Sequence, residues 1–251
     1  FSNLSARLTG KEGEWQKIDA TGHLGAGHEI KLSYEVAPIP QLSIKAANAG
    51  ETLRALDLFG TMQGGTLLLS ARKSDKKRPE AWIGTLDVTD FVMVKAPVLA
   101  KVLTNLSLTG IQNNLSGKGI QFVKLDVPFE FENDIFKILN ARSVGSELGI
   151  TVEGTVDRGK DVVDLRGTIV PAYTINSVLG NIPVLGTLLT GKKGSGVFAA
   201  TYKIGGSVDN PKISVNPLAA LAPGFLRNLI GIFDGSIKPD GGNSSVIPDT
   251  N

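Results

Sequence analysis

The chain has 251 residues and a formal net charge of +2, from 26 lysines and arginines against 24 aspartates and glutamates. This even balance argues against a nucleic-acid surface, because clustered excess basic charge supplies most of that affinity. With 41% hydrophobic residues the chain is too apolar to be disordered, and its length is ample for a core. Because it contains no cysteine, disulfides, thiolate zinc sites and cysteine nucleophiles are excluded.

Alternation of apolar and polar residues, typical of a strand with one buried face, recurs along most of the chain. It is cleanest where Ile30, Leu32, Tyr34 and Val36 interleave with polar side chains. We predict a meander of four strands ending near residue 45, and further strands at 65–72, 81–89, 120–131, 148–156, 163–169, 195–208 and 211–216. Residues 134–142 are ambiguous by this criterion.

The alternation also predicts which side chains share a face. In the strand at 120–131, one side is expected to carry Val123, Leu125, Val127, Phe129 and Phe131. The two strands that follow form a hairpin around the turn at Arg158 and Gly159. The residues that we predict to line one continuous apolar surface are Ile30, Leu32, Leu125, Val127, Phe129, Leu148, Ile150, Val152, Val163, Leu165 and Ile169.

Four apolar stretches have helix-like spacing instead, at 50–59, 95–106, 174–190 and 218–233. The last two are apolar nearly all round, which is typical of segments buried on several sides or in contact with something nonpolar. As core they would plug the end of the sheet, and as functional elements they would lie on a membrane surface. The candidates for either role are Ile175, Leu179, Leu185, Leu188, Phe225, Leu229 and Phe233.

These patterns predict a mainly β (α+β) fold: a long antiparallel twisted sheet curved into a groove or half-barrel, with short apolar helices at its edge and ends. We expect one domain over residues 1–233, with 1–80 and 81–233 as candidate sub-parts, and a disordered tail over 234–251. The predicted helices are too few to cover the whole apolar face of the sheet. A second half of the same sheet, chain upstream of this sequence, or a nonpolar ligand would have to cover the remainder.

No segment of the sequence matches a catalytic or ligand-binding motif well. The sequence at 186–193 differs from a P-loop in one residue, Lys193, where a serine or threonine should bind magnesium, and a basic turn at a helix C-terminus explains it better. No Gly-x-Ser-x-Gly elbow is present. His23 and His28 flank a glycine-containing turn and are expected to face solvent rather than bind a metal. We therefore expect no cofactor, no metal and no catalytic residue.

Two charged clusters each allow a purely structural interpretation and a functional one. Asp157, Asp161 and Asp164 are expected at a solvated hairpin end rather than in a calcium loop. The basic run at 72–78 is expected to be an exposed loop, with attraction to anionic lipid or to a protein partner as the alternative.

Three phrases of the sequence carry a resemblance to a known family. They lie at 86–101, at 167–186, which contains Gly-Asn-Ile-Pro, and at 216–227, which contains Asn-Pro-Leu-Ala-Ala-Leu-Ala-Pro-Gly. In these phrases the chain resembles the C-terminal region of the AsmA-like family, in particular its YhdP-type branch. That family is similar to the bridge-like lipid-transfer proteins, whose long twisted sheets form an apolar groove.

The resemblance implies a non-enzymatic lipid conduit that shelters phospholipid acyl chains between the inner and outer membranes. It implies a periplasmic location, anchored to the inner membrane through a segment outside this sequence, and it assigns no active residues. The expected partners are phospholipid and a membrane surface, with no nucleic acid. The alternative is a periplasmic structural or assembly factor for outer-membrane proteins that acts through protein–protein contacts.

Overall fold

The structure is a computed structural model that describes residues 2–74, 78–171 and 199–216. All of them belong to one compact unit, Phe1–Ala219. Several predictions lie outside the described residues. They are the apolar segments at 174–190 and 218–233 with all seven of their candidate residues, the P-loop-like stretch at 186–193, and the tail at 234–251. The domain boundary predicted at residue 233 stays a prediction for the same reason.

Twelve strands within the described ranges form a single sheet in which every strand pairs antiparallel with its neighbours in the sequence. The strands are β1 (Ser2–Lys11), β2 (Glu14–Leu24), β3 (His28–Glu35), β4 (Gln41–Ala46), β5 (Met62–Lys73), β6 (Trp82–Met93), β7 (Ile120–Glu132), β8 (Ile135–Gly145), β9 (Leu148–Asp157), β10 (Val162–Pro171), β11 (Ala200–Gly206) and β12 (Pro211–Asn216). The sheet stays open, with β1 and β12 at its two edges. The predicted fold class is confirmed.

Three short helices occur in the described part of the chain, and they are α1 (Ala49–Ala55), α2 (Pro97–Asn105) and α3 (Thr109–Ser116). Helix α1 connects β4 to β5, and its N-cap residue Asn48 accepts the N–H of Glu51 at 3.1 Å through its side-chain oxygen. Helices α2 and α3 together connect β6 to β7. Pro97 stands in the first turn of α2, as its fixed φ angle predicts.

Some local predictions were wrong at their boundaries. Helix α1 ends at Ala55, and Leu56, Leu58 and Phe59 beyond it are exposed, because Asp57 takes a positive φ of 54° that stops the helix. Helix α3 was not predicted, since only Ile111 and Leu115 give it an apolar stripe. The ambiguous segment at 134–142 is part of strand β8.

The helices cover one end of one face of the sheet, where β4 and β6 end and β5 and β7 begin. Leu53 of α1, Leu103 of α2 and Leu115 of α3 are buried there in the main hydrophobic core. Helix α2 also contacts β12, the last strand of the sheet. Because α2 starts directly after β6, the sheet between β6 and β12 must curl around it, as the predicted groove requires.

Candidate functional site: the apolar face of the sheet

One row of side chains crosses all twelve strands without a charged member. Its residues, each opposite the next in the pairing register, are Leu8, Ile18, Tyr34, Leu42, Ala71, Gly84, Phe129, Ile138, Gly154, Leu165, Ile204 and Ile213. We call it the apolar row. At about 4.8 Å per strand, it extends about 50 Å along the sheet.

A second row runs parallel to the first and lies nearer the helices. It consists of Ile30, Ala46, Leu67, Val88, Leu125, Ser143, Ile150, Ile169 and Ala200. Ser143 is its one polar member, and its hydroxyl donates a hydrogen bond of 3.1 Å to the carbonyl of Lys124. The face is therefore apolar in two dimensions, along the strands and across them.

The structure brings all eleven predicted lining residues to this face. Five of them are buried, namely Val127, Phe129, Leu148, Val163 and Ile169. The other six are half-buried, namely Ile30, Leu32, Leu125, Ile150, Val152 and Leu165. The buried members line the curled half of the sheet from β7 onward, whereas Ile30 and Leu32 lie on β3, in the half that α2 and α3 do not reach.

The β1 edge of this face is the most open to solvent. Every residue of β1 is exposed, and the exposed fraction reaches 72% for Leu4 and 47% for Leu8. Trp15, in β2, is also exposed. Apolar surface left open in this way is typical of a site that meets a nonpolar ligand or a partner.

The opposite face of the sheet is mainly polar, with Leu68 as the apolar member of the row described next. A matching row across all twelve strands consists of Ser5, Thr21, Lys31, Lys45, Leu68, Asp87, Asp126, Arg142, Thr151, Thr168, Thr201 and Asn216. Surface ion pairs lie on this face, including Arg166 Nε to Glu153 Oε1 at 2.6 Å. The sheet thus has one face suited to water and one suited to hydrocarbon.

Two acids face each other on the polar side. Asp87 of β6 is directly opposite Asp126 of β7 in the register. Burial and then the charge of Asp87 raise the pKa of Asp126, while Lys124 and Arg142 oppose the shift. The two carboxylates, as like charges on neighbouring strands, repel each other.

Sequence reasoning missed part of the apolar face and misplaced one residue. Phe91 and Phe122 are buried and stack with ring centroids 5.2 Å apart. Val123, predicted to lie beside Leu125, is instead 58% exposed. The cause is a β-bulge between Phe122 and Lys124, which shifts the alternation by one residue.

The two histidines differ from the prediction of solvent-facing residues. His28 Nδ1 lies 2.8 Å from Glu51 Oε2, so this side chain joins the start of β3 to helix α1. His23 Nδ1 is buried and has no hydrogen-bond partner in the structure as described. The prediction was therefore wrong for the Nδ1 atom of His23.

The charged clusters are engaged in local structure. Asp157 Oδ1 accepts the backbone N–H of Lys160 at 3.0 Å, and Asp161 accepts the hydroxyl of Ser207 at 2.7 Å. In the basic run, Lys73 contacts Glu80 at 3.3 Å and Arg78 contacts Glu130 at 2.9 Å. The aspartates thus stabilise hairpin ends, and the basic run is partly neutralised.

Among the described residues, no group of three or more histidines, aspartates or glutamates is arranged to hold a metal ion. In the same ranges, no helix is both long and apolar enough to pass through a bilayer. Comparison of the chain with protein-family models, with curated proteins and with solved structures gives no match. The resemblance to the AsmA-like family therefore stays a prediction from the sequence.

Proposed function

We propose that this chain is a non-enzymatic lipid-conduit module that shelters phospholipid acyl chains on the apolar face of its sheet. The observation that carries the proposal is the apolar row, which crosses twelve strands with no charged side chain. A structural core needs apolar residues, but it does not need them to continue to an exposed edge strand such as β1.

The energetics of lipid movement fit a face of this kind. Burial of a CH₂ group is worth about 0.8 kcal/mol, so an acyl chain carried bare through water would cost on the order of 10 kcal/mol. An apolar trough removes that cost without a chemical step. Half of a hydrocarbon core of about 30 Å is about 15 Å, so the apolar row of about 50 Å has room for roughly three chains end to end.

The uniformity of the row matters as much as its length. Isoleucine, leucine and phenylalanine side chains offer a lipid similar contacts along most of the row, and no charged group in it would hold the lipid or repel it. A deep pocket would instead trap the ligand. The family resemblance supports the same role, and with it we propose phospholipid movement between the inner and outer membranes from a periplasmic location.

The proposal is tested by site-specific photo-crosslinking in cells that produce the full chain. A photoreactive amino acid at Ile44, half-buried on the apolar face, is expected to capture phospholipid. The same residue at Lys45, its neighbour on the polar face, is the matched control and should capture none. Equal capture at both positions, or lipid at neither, would contradict the proposal.

A second candidate function is contact with an envelope protein through the edge of the sheet. The observation that favours it is β1, an edge strand of ten residues that is exposed along its whole length. An exposed edge is a template for strand addition by another chain. Crosslinks from β1 to protein, with Ile150→Asp and Leu165→Asp variants that stay folded and functional, would favour this candidate over lipid carriage.

A further inference from the structure

The apolar row ends at a cavity that has a different chemistry from the row itself. The cavity, of about 630 Å³, lies between α2, α3 and the edge strand β12. Its lining includes Ile213, the last member of the apolar row, together with Pro211 and Ala100. Pockets of about 300–1,000 Å³ are typical of small-ligand sites.

Polar and cationic groups complete the lining. They are Lys101, Thr104 and Asn105 of α2, Gln112 of α3 and Lys212 of β12. Neither lysine forms an ion pair within the described part of the chain, and no acidic side chain contributes to the lining among those residues. Two lysines, one from a helix and one from a strand, therefore line one cavity without an acidic side chain beside them in those ranges.

The local field favours an anion. The C-terminal end of α2 contributes about half a negative charge, which the two full positive charges outweigh. The amides of Asn105 and Gln112 can donate hydrogen bonds, and the lysine ammonium groups are strong phosphate binders. Ile213 gives the same cavity an apolar wall that continues into the row.

We infer that the cavity between α2 and β12 binds the head group of a phospholipid with net negative charge, whose acyl chain lies along the apolar row. This inference rests on the proposed function and adds to it a ligand class and a place of entry or exit. A ligand with a net anionic head and an apolar tail matches both halves of the site, whereas a zwitterionic head group such as phosphatidylcholine would bring its own cation next to the two lysines.

The test compares the full chain with its Lys101→Gln/Lys212→Gln variant, using labelled phosphatidylglycerol and phosphatidylcholine presented in phosphatidylcholine vesicles. The wild type should prefer the anionic lipid, and the variant should reduce that preference by about twenty-five-fold, at about fivefold per lysine. A Lys45→Gln/Lys203→Gln variant removes two exposed lysines away from the cavity and should keep the preference. High salt should weaken the preference, because both lysines are exposed and their charges are screened.

Each other outcome overturns the inference in a recognisable way. Equal uptake of both lipids by the wild type would contradict the head-group site but not the proposed lipid conduit. If the wild type takes up neither lipid, both proposals are contradicted. If inorganic phosphate alone displaces the anionic lipid at equal concentration, the site binds free phosphate and the acyl tail contributes nothing, which contradicts the assignment to a lipid head group.

Discussion

The hydroxyl of Tyr202 donates a hydrogen bond of 2.7 Å to the backbone carbonyl of Thr151. Tyr202 is on β11 and Thr151 on β9, so the tyrosine side chain reaches across β10, where Gly167 lies opposite it. The hydroxyl of Thr151 accepts the N–H of Thr168 at 3.0 Å. Three strands are thus tied together, by the Tyr202 side chain from the apolar face and by the Thr151 side chain from the polar face.

Removal of the tyrosine hydroxyl should destabilise the protein. In Tyr202→Phe the part-buried carbonyl of Thr151 loses this donor, so we expect the free energy of unfolding to fall by about 1–3 kcal/mol. The hydroxyl is itself buried, and burial raises the pKa of Tyr202. Urea unfolding measures the change. Tyr34→Phe is the control, because the Tyr34 hydroxyl has no hydrogen bond within the described residues, and a similar loss there would contradict the explanation.

Gly167 should tolerate no side chain. A Cβ at this position would collide with the carbonyl oxygen of Thr151 and lie 2.6 Å from the Tyr202 hydroxyl. We expect Gly167→Ala to cost more than about 3 kcal/mol, since it breaks a buried hydrogen bond and forces the backbone apart. In Gly205→Ala, on the next strand, the nearest atom would be 3.8 Å away. Thermal unfolding of the two variants should therefore differ widely, and equal melting temperatures would refute the steric argument.

The sequence predicts the strands because period-two alternation is local, and it predicts the shared face for the same reason. Leu165 and Ile150 were placed on it from their own neighbours alone. The Tyr202–Thr151 bond joins residues 51 positions apart and leaves no local signal. Val123 was misplaced because the bulge depends on how β7 pairs with β8, opposite Gly145 and Val144.

The site was predicted in part. Alternation identifies the residues of the apolar face, but the cavity beside Ile213 depends on α2 meeting β12, two elements far apart in the chain. Nothing near Lys101 or Lys212 in the sequence distinguishes them from other exposed lysines. The continuity of the apolar row likewise follows from the register of eleven strand pairs, which single-strand patterns do not fix.

The Asp87–Asp126 pair should make stability fall as pH rises. Because the folded pKa of Asp126 is raised, the folded state binds the proton more tightly than the unfolded state does. This contribution is present at pH values below the unfolded pKa and is lost as pH rises through the folded pKa. Asp126→Asn should therefore stabilise the protein at neutral pH, by at most about 1 kcal/mol because the group is half exposed and screened.

Thermal unfolding at acidic and neutral pH checks this sign. The gain from Asp126→Asn should be present at neutral pH and shrink in acid, where the wild-type carboxyl is protonated. Asp87→Asn should act in the same direction, because it removes the charge that faces Asp126. Asp164→Asn, at an exposed position opposite Thr155 and Gly205, controls for the loss of one negative charge. Destabilisation by Asp126→Asn at neutral pH would show that the repulsion is not significant.

The bulge in β7 predicts opposite effects for adjacent residues. Phe122→Ala should cost about 3–5 kcal/mol, because Phe122 is buried and stacks on Phe91. Val123→Ala should change the free energy of unfolding by less than about 0.5 kcal/mol, since Val123 points into solvent. Denaturant midpoints of the two variants test the assignment. A larger loss for Val123→Ala would mean that the alternation continues without a bulge.

A carboxylate in the apolar row should reduce lipid carriage. Ile18 lies in the row between Leu8 and Tyr34 and is half-buried. Ile18→Asp places a charge on the hydrocarbon path, and an acyl chain would either desolvate it at a cost of several kcal/mol or avoid this stretch of the sheet. Mass spectrometry of lipid that copurifies with the full chain should therefore show less phospholipid per protein than in the wild type.

Two further variants separate the effect of charge from the effect of a changed side chain. Ile18→Ala keeps the row apolar and should retain lipid. Thr21→Asp adds the same carboxylate to the same strand, but on the polar face opposite Lys31, and should also retain lipid. Comparison is made at a temperature where circular dichroism shows all three variants folded. If Ile18→Asp and Thr21→Asp carry equal amounts of lipid, the lipid does not travel along the apolar row, because only the first variant interrupts it.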